Sequence, residues 1–439
     1  MQSLVTSVPH HLATLFSSRA DAVARQAGFV QRSSKLGGSE MARTLVFGWL
    51  HNPQATLEEL AQMATDLGVT ISPQGLEQRF GPGTAEFFQR LLHEAVLRVV
   101  STDPVAIPVL QRFAGGVCLL DSTALPLPPA FAGVWRGCGV AVEQEGAGLK
   151  AQVQVNLVDG TLTGPFLHPG CVHDQQAVRR MPPLPAGALR LADLGFFSID
   201  SLQELHTQEI FWLSRVNVNT RFRDAGGRVW TSAAFLAQQT AATLDVPILL
   251  GLKQRLPCRL LALRAPPEVV VKRHQRLRKE LRRRGRMHPD RWILAQWTFY
   301  VTNVPAERLS VQEAWILARC RWQIELLFKL WKSEGRVDES RSGKPWRILS
   351  EIYAKLLGMV VQHWLLLVGC WSHPNRSLVK ASRTVRRLSW PLALVLMQRQ
   401  LVYALLQNLR RCLATGCRIN RRRRAPPNHQ LLLGLAEAG

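Results

Sequence analysis

The chain has 439 residues and carries 55 Lys and Arg against 31 Asp and Glu, a formal net charge of +24. Hydrophobic residues make up 47%, enough for a packed core, which excludes a largely disordered chain. An excess of this size calls for a polyanion, either nucleic acid or an anionic membrane surface. Met1 to Phe16 has no basic start followed by a long apolar run, so no secretory signal is expected. Residues 1 to about 110 read as helical. Thr56 and Glu59 form a capping box, with Leu57, Leu60, Ala61 and Ala64 at helical spacing behind it. Asp66-Leu67-Gly68 supplies a turn, and Ser72-Pro73 opens a second helix. The pair suits either a helix-turn-helix, with Gln74, Gln78 and Arg79 toward DNA, or a plain helical hairpin.

From Gly116 to about Asp200 the pattern is β-rich. Val117 to Leu120 is an apolar strand expected to end at Asp121. Ala151, Val153, Val155 and Leu157 alternate with polar residues, as in a half-buried strand. Asp159-Gly160 turns the chain into the next strand. Leu189 to Ala192 is another short strand, ending at Asp193, and Asp200 is the expected N-cap of a helix beginning at Ser201. Further strands are expected at Phe211 to Val216, Ile248 to Leu252, Arg259 to Leu263 and Trp297 to Val301. Among them Lys272 to Arg286 holds nine Lys and Arg in fifteen positions. Helical spacing returns from Val311 to Leu330, at Leu356 to Trp371 and at Pro391 to Arg411. Leu356 to Trp371 is interrupted by Gln362 and His363 and falls short of the ~20 residues of a membrane span, so a buried helix is expected. Eight Cys show no CxxC and no zinc-finger spacing, which points to reduced, mostly buried thiols in a cytosolic protein. The chain closes with Arg418 and the run Arg421 to Arg424.

In so basic a chain the acidic residues at strand ends carry the chemical signal. Asp121 and Asp193 each follow four residues of strand, where ligands and catalytic groups gather in mixed α/β sheets. Each alone also suits a turn or cap. Two such carboxylates on neighbouring strands would repel, and a divalent cation would relieve that repulsion. On the helix after Arg321, a 100° step puts Arg321, Glu325, Phe328 and Lys332 on one face, with Ile324, Leu327 and Trp331 beside it toward a core. A solvated Arg–Glu pair is the bland alternative. The apolar neighbours argue against it.

Together Leu120-Asp121-Ser122-Thr123, Leu191-Ala192-Asp193-Leu194-Gly195 and Arg321-Trp322-Gln323-Ile324-Glu325 with Lys332 resemble the bacterial DDE transposases of the insertion-sequence-four family. The likeness runs from the Leu57 region to the final basic run. Arg321, Glu325 and Lys332 fit that family's Tyr-Arg-Glu-Lys signature. The Tyr, which in the family helps to hold the DNA strand, is replaced by Ala318. The resemblance implies an α/β fold: a ribonuclease-H-like catalytic domain with a β-rich insertion, flanked by helical N- and C-terminal regions. The segments would be 1–110 (DNA-binding), 111–205 and 309–375 (catalytic), 206–308 (insertion) and 376–439 (helical, with a basic tail and a dimerisation role).

The resemblance further implies two Mg2+ ions, with Mn2+ as an alternative. Asp121 would bridge both ions, and Asp193 and Glu325 would hold one each. Arg321, Lys329 and Lys332 would contact DNA phosphates. Trp297, or else Trp292, would stack on a flipped base, and His173-Asp174 would neighbour the site. The implied partners are double-stranded DNA, as terminal inverted repeats and target, and a second copy on paired ends, with no membrane. The implied place is the bacterial cytoplasm, at the nucleoid. Cut-and-paste transposition through hairpin ends is the expected function. A non-catalytic DNA-binding descendant and a ribonuclease-H-like nuclease are the competing readings.

Overall fold

A computed structural model describes residues 2–32, 35–138, 146–371, 373, 375–419 and 428–437. The run Arg421 to Arg424 lies outside the described residues. The chain forms two compact units, each assembled from separated segments. The first comprises Met1–Ala106, Asp121–Val172 and Trp322–His429, and the second Ile107–Leu120, His173–Arg321 and Gln430–Gly439. In chain order the strands are β1 (Val117–Leu127), β2 (Ala147–Asn156), β3 (Leu162–Pro169), β4 (Leu189–Ala192), β5 (Phe211–Ser214), β6 (Arg221–Arg223), β7 (Val229–Thr231), β8 (Thr243–Leu250), β9 (Leu256–Arg264) and β10 (Trp297–Thr302). The division falls within β1 after Leu120.

The first unit is organised around the helix Pro345–Leu367, which is buried at every position from Leu349 to Leu367. A helix apolar all round is a core helix when other elements cover it. Here Gly38–His51 and Pro82–Val96 do so. Among the described residues no helix is long and apolar enough to cross a membrane. The polar interruption at His363 is used: its Nε2 lies 2.7 Å from the carbonyl of Gly160, in the β2–β3 turn. Gly160 has φ +74°, and a Cβ there would meet Leu367 and Trp371, so the close approach of turn and helix requires glycine.

One ion pair in this helix is fully enclosed. Lys355 Nζ stands 2.7 Å from Glu351 Oε1, with side-chain exposures of 2% and 5%. The ammonium also donates to the carbonyls of Arg336 and Glu339, and the carboxylate accepts from Ser340 Oγ at 2.7 Å. These bonds fasten the segment that follows the helix Trp322–Ser333.

The capping box at Thr56 and Glu59 forms on both sides, and Ser72 caps a helix opened by Pro73. That second helix, Pro73–Glu77, is only five residues long. Gln74 and Gln78 are exposed. Arg79 instead donates to the carbonyl of Leu36 and lies over the Phe29 ring, which makes it a structural tie rather than a solvent-facing residue.

In the second unit β1 (through Leu120), β4 and β5 run parallel, and β10, β9, β8, β6 and β7 follow in antiparallel order. Trp212, Leu236, Leu250, Leu260 and Val301 anchor its core. The unit is therefore mixed α/β. Three sequence expectations shift. β1 does not end at Asp121 but continues to Leu127, because Thr123, Leu125 and Leu127 keep one face buried while Ala124 and Pro126 are exposed. The helix near residue 200 is capped two residues early, by Ser198 accepting from the Ser201 N–H, and spans Ile199–Thr207. The helical run from Val311 divides at Arg321 into Val311–Cys320 and Trp322–Ser333.

Lys355→Met should cost about 3–5 kcal/mol, since it strands a buried carboxylate. Glu351→Leu combined with Lys355→Met should recover part of that loss. The thermal unfolding midpoints of the two variants check this.

Candidate active site

In the second unit, strand register sets the geometry. Leu119 and Leu120 pair with Leu191 and Ala192, and Leu191 pairs with Leu213 of β5. β10 comes back antiparallel, with Val301 opposite Ser214. The next residue beyond each of these pairings is Asp121 on β1, Asp193 on β4, Arg215 on β5 and Tyr300 on β10. Asp193 and Arg215 thus follow the carboxyl ends of parallel strands, the position where α/β sheets bind ligands.

The strands β5 and β10, which carry Arg215 and Tyr300, are tied together by specific bonds. The Trp212 N–H donates to Asn303 Oδ1 at 2.8 Å, Asn303 Nδ2 donates to the Ile210 carbonyl at 3.0 Å, and Thr302 Oγ1 donates to the Trp212 carbonyl at 2.7 Å. Arg273 donates to the carbonyls of Ala295 and Trp297 and to Thr298 Oγ1. Burial raises the pKa of the Tyr300 phenol. The charges of Arg215, Arg321 and Arg273 act to lower it, and Asp193 acts to raise it. One phenol thus senses three guanidinium groups and a carboxylate. Asp174 joins this neighbourhood: its Oδ2 lies 3.0 Å from where a Cβ on Gly195 would stand.

In the first unit, the half-buried Asp121 accepts from the N–H of Ser122 at 2.8 Å. Glu325 is half-buried on Trp322–Ser333. The expected core side of that helix is present, with Ile324, Leu327 and Trp331 buried. Lys332 Nζ donates to the Ala124 carbonyl of β1 at 2.9 Å, which docks the end of the helix on the strand that carries Asp121. Lys329 is exposed, as are Trp322 (57%) and Leu326 (39%).

Asp121 and Glu325 thus belong to one unit and Asp193 and Arg321 to the other. Among the described residues no three His, Cys, Asp or Glu side chains are grouped to hold a metal ion. Trp297 is 3% exposed, in the core of the second unit, with Arg264 4.6 Å from its ring centroid. It is not presented to solvent, because its strand position points into the apolar core. Trp292 is half-buried against His274.

The basic segment forms the helix Pro267–Arg284, whose only buried residue is Leu277. Glu280 pairs with Arg284 and Arg291. Lys272, Arg276, Arg278, Lys279, Arg282, Arg283 and Arg286 are exposed and have no ion-pair partner among the described residues. All eight Cys are free thiols, four of them buried.

Sequence reasoning overlooked Arg215 and Tyr300. The available signal was scarcity, because the chain holds only three Tyr.

A chain with carboxylates at parallel strand ends and on a following helix, together with a large unpaired basic face, has the makings of a DNA-processing enzyme. Residues 112–360, more than half of the chain, match the family described as the transposase DDE domain. The chain is 25% identical over 361 residues to the transposase for insertion sequence element IS231F of Bacillus thuringiensis subsp. israelensis, covering 77% of this chain and 75% of the relative. It is 24% identical to the transposase for element IS1151 of Clostridium perfringens, covering 79% and 77%. It is 29% identical to the transposase for element IS421 of Escherichia coli, covering 63% and 80%. The chain belongs to the bacterial DDE transposases of the insertion-sequence-four type. It is a polynucleotidyl transferase and endonuclease that acts on DNA, in a family dependent on divalent metal.

Asn303→Leu should leave the Trp212 N–H and the Ile210 carbonyl unsatisfied, at about 2–3 kcal/mol. Asn303→Asp, which keeps the acceptor, should cost less. Thermal unfolding of the two variants tests the ranking.

Proposed function

We propose that the chain cuts and joins DNA at the ends of its own insertion sequence, in a Mg2+-dependent cut-and-paste reaction through hairpin ends. In this reading the carboxylates lie in a ribonuclease-H-like domain. The observation that carries it is the retention of Asp121, Asp193 and Glu325, each within its motif, inside the region that matches the family. Their donor chemistry fits Mg2+, or Mn2+, because carboxylate oxygens suit hard cations. Asp121, Asp193 and Glu325 would hold two ions, which when bound supply Lewis-acid polarisation and charge stabilisation.

The chain's own side chains then bind and orient. Arg321, Lys329 and Lys332 contact phosphates at the cut end. The exposed face of Pro267–Arg284 holds the flanking duplex through counterion release. Water first attacks one strand. The freed 3′-hydroxyl then attacks the opposite strand, breaking its P–O bond and closing a hairpin. A stacking role for Trp297 requires the strand edge to open, whereas Trp292 needs a smaller change.

Residues 1–110 would bind the terminal repeats. Residues 376–439 would pair two copies, since Leu394, Met397, Leu401 and Tyr403 are exposed there. The reaction would take place in the cytoplasm, at the nucleoid. A non-catalytic DNA-binding descendant is the second reading, favoured by Ala318.

Asp121→Ala, Asp193→Ala and Glu325→Ala should each abolish Mg2+-dependent cleavage of the DNA flanking the gene while leaving DNA binding intact. Cleavage surviving in all three variants would sink the proposal. Nicks, hairpins and joined products should all appear with the unaltered chain. Neutralising Arg282 and Arg283 together should reduce the salt slope of binding by about 2.

A further inference from the structure

Ala318 stands where the signature Tyr of the family is expected, and in the second unit a tyrosine from a different element packs close by, against Trp315. Trp315, Ala318 and Arg321 follow one another at three-residue steps. Arg321 keeps helical dihedrals at the end of Val311–Cys320. Residues three apart lie on one helix face. Tyr300, on β10, engages both neighbours of Ala318. Its ring packs edge-on against Trp315, with centroids 5.2 Å apart, and its phenol senses the charge of Arg321. The ring therefore lies beside the helix that carries Ala318, against the residue three positions before it.

Strand alternation fixes this orientation. Trp297, Phe299 and Val301 turn into or against the core, and Thr298, Tyr300 and Thr302 take the opposite face. The row is also anionophilic. Arg215 is exposed and its guanidinium has no hydrogen-bond or ion-pair partner among the described residues, and the Tyr300 hydroxyl makes no hydrogen bond among them. Arg273 is fixed beside them through Thr298 Oγ1 at 2.7 Å. An uncommitted O–H and an uncommitted guanidinium, next to a carboxylate at a sheet's carboxyl edge, suit one phosphate oxygen each.

We infer that Tyr300 delivers from strand β10, beside the helix that carries Ala318, the phenol that holds a phosphodiester of the cut DNA end beside Asp193, with Arg215 as its cationic partner. The inference rests on the transposase reading and deepens it. Tyr300 is a DNA-holding residue, and its partner chemistry is a backbone phosphate, not a base. The small side chain at 318 is then a complement to Tyr300 rather than a lesion. It follows that Ala318→Tyr alone should not raise activity, because Tyr300 already supplies the phenol.

The test uses the full chain and a duplex carrying the sequence that flanks the gene. Each phosphate near the cut is replaced in turn by an uncharged methylphosphonate. Tyr300→Phe should keep the unfolding midpoint and lower Mg2+-dependent cleavage about 10- to 100-fold, the loss of one hydrogen bond to a charged group. One methylphosphonate should weaken binding by the Asp193→Ala chain, yet have little further effect once Tyr300→Phe is added. Tyr300→Ala combined with Ala318→Tyr should restore part of the activity lost in Tyr300→Ala. Tyr300→Phe cleaving like the unaltered chain while Asp193→Ala is dead would overturn this inference alone. Equal methylphosphonate penalties with Tyr or Phe at 300 would also overturn it. Asp193→Ala cleaving normally would bring down the transposase reading and this inference with it.

Discussion

The register of the parallel strands is the constraint on which the site depends. Leu119 and Leu120 must pair with Leu191 and Ala192 to be buried, and a one-residue slip would turn every side chain to the other face. Burial therefore decides where charge can emerge. The first residues beyond the paired stretch are the aspartates, β5 adds Arg215 by the same rule, and Tyr300 stands within β10 next to Val301. The chemistry sits where the core ends because a carboxylate inside it would cost several kcal/mol.

Glu325 is positioned by other means. Its helix buries Ile324, Leu327 and Trp331, ties Lys332 to β1, and runs into a segment pinned by the enclosed Glu351–Lys355 pair. Such a pair adds little net stability, because desolvation offsets its attraction. Its use here is directional, since an ammonium with three fixed acceptors admits one arrangement of the chain around it. The helix thus enters and leaves at defined points, while its outer face keeps Trp322, Leu326 and Lys329 in solvent.

Much of this was legible beforehand, and the reasons are local. The capping box at Thr56, the Ser72-Pro73 helix start, the Asp159-Gly160 turn and the strand Leu189–Ala192 follow from short-range chemistry. The buried helix around Leu356 followed from its apolar composition. The continuation of β1 past Asp121 was not legible, because it depends on one covered face and not on an apolar run. For Arg79 and Trp297 the sequence left two readings open, and the structure gives both side chains structural partners, the Leu36 carbonyl and the core of the second unit. Asp121, Asp193 and Glu325 stand out in the sequence by their motifs, and their joint role is part of the proposal. The Tyr300–Trp315 contact beside Ala318 was not legible, because fifteen positions of sequence separate two residues that only the strand and helix bring together.

The interleaving of segments has a consequence for biogenesis. The helices Gly38–His51 and Pro82–Val96 are made early, but the helix that covers them, Pro345–Leu367, follows roughly 250 residues later. At about 5–20 residues per second, their apolar faces wait on the order of 10–50 s on the ribosome. The first unit cannot close until Pro345–Leu367 has been made. Products truncated before Pro345 will therefore expose the apolar faces of Gly38–His51 and Pro82–Val96, while the core of the second unit, complete by Val301, is already made.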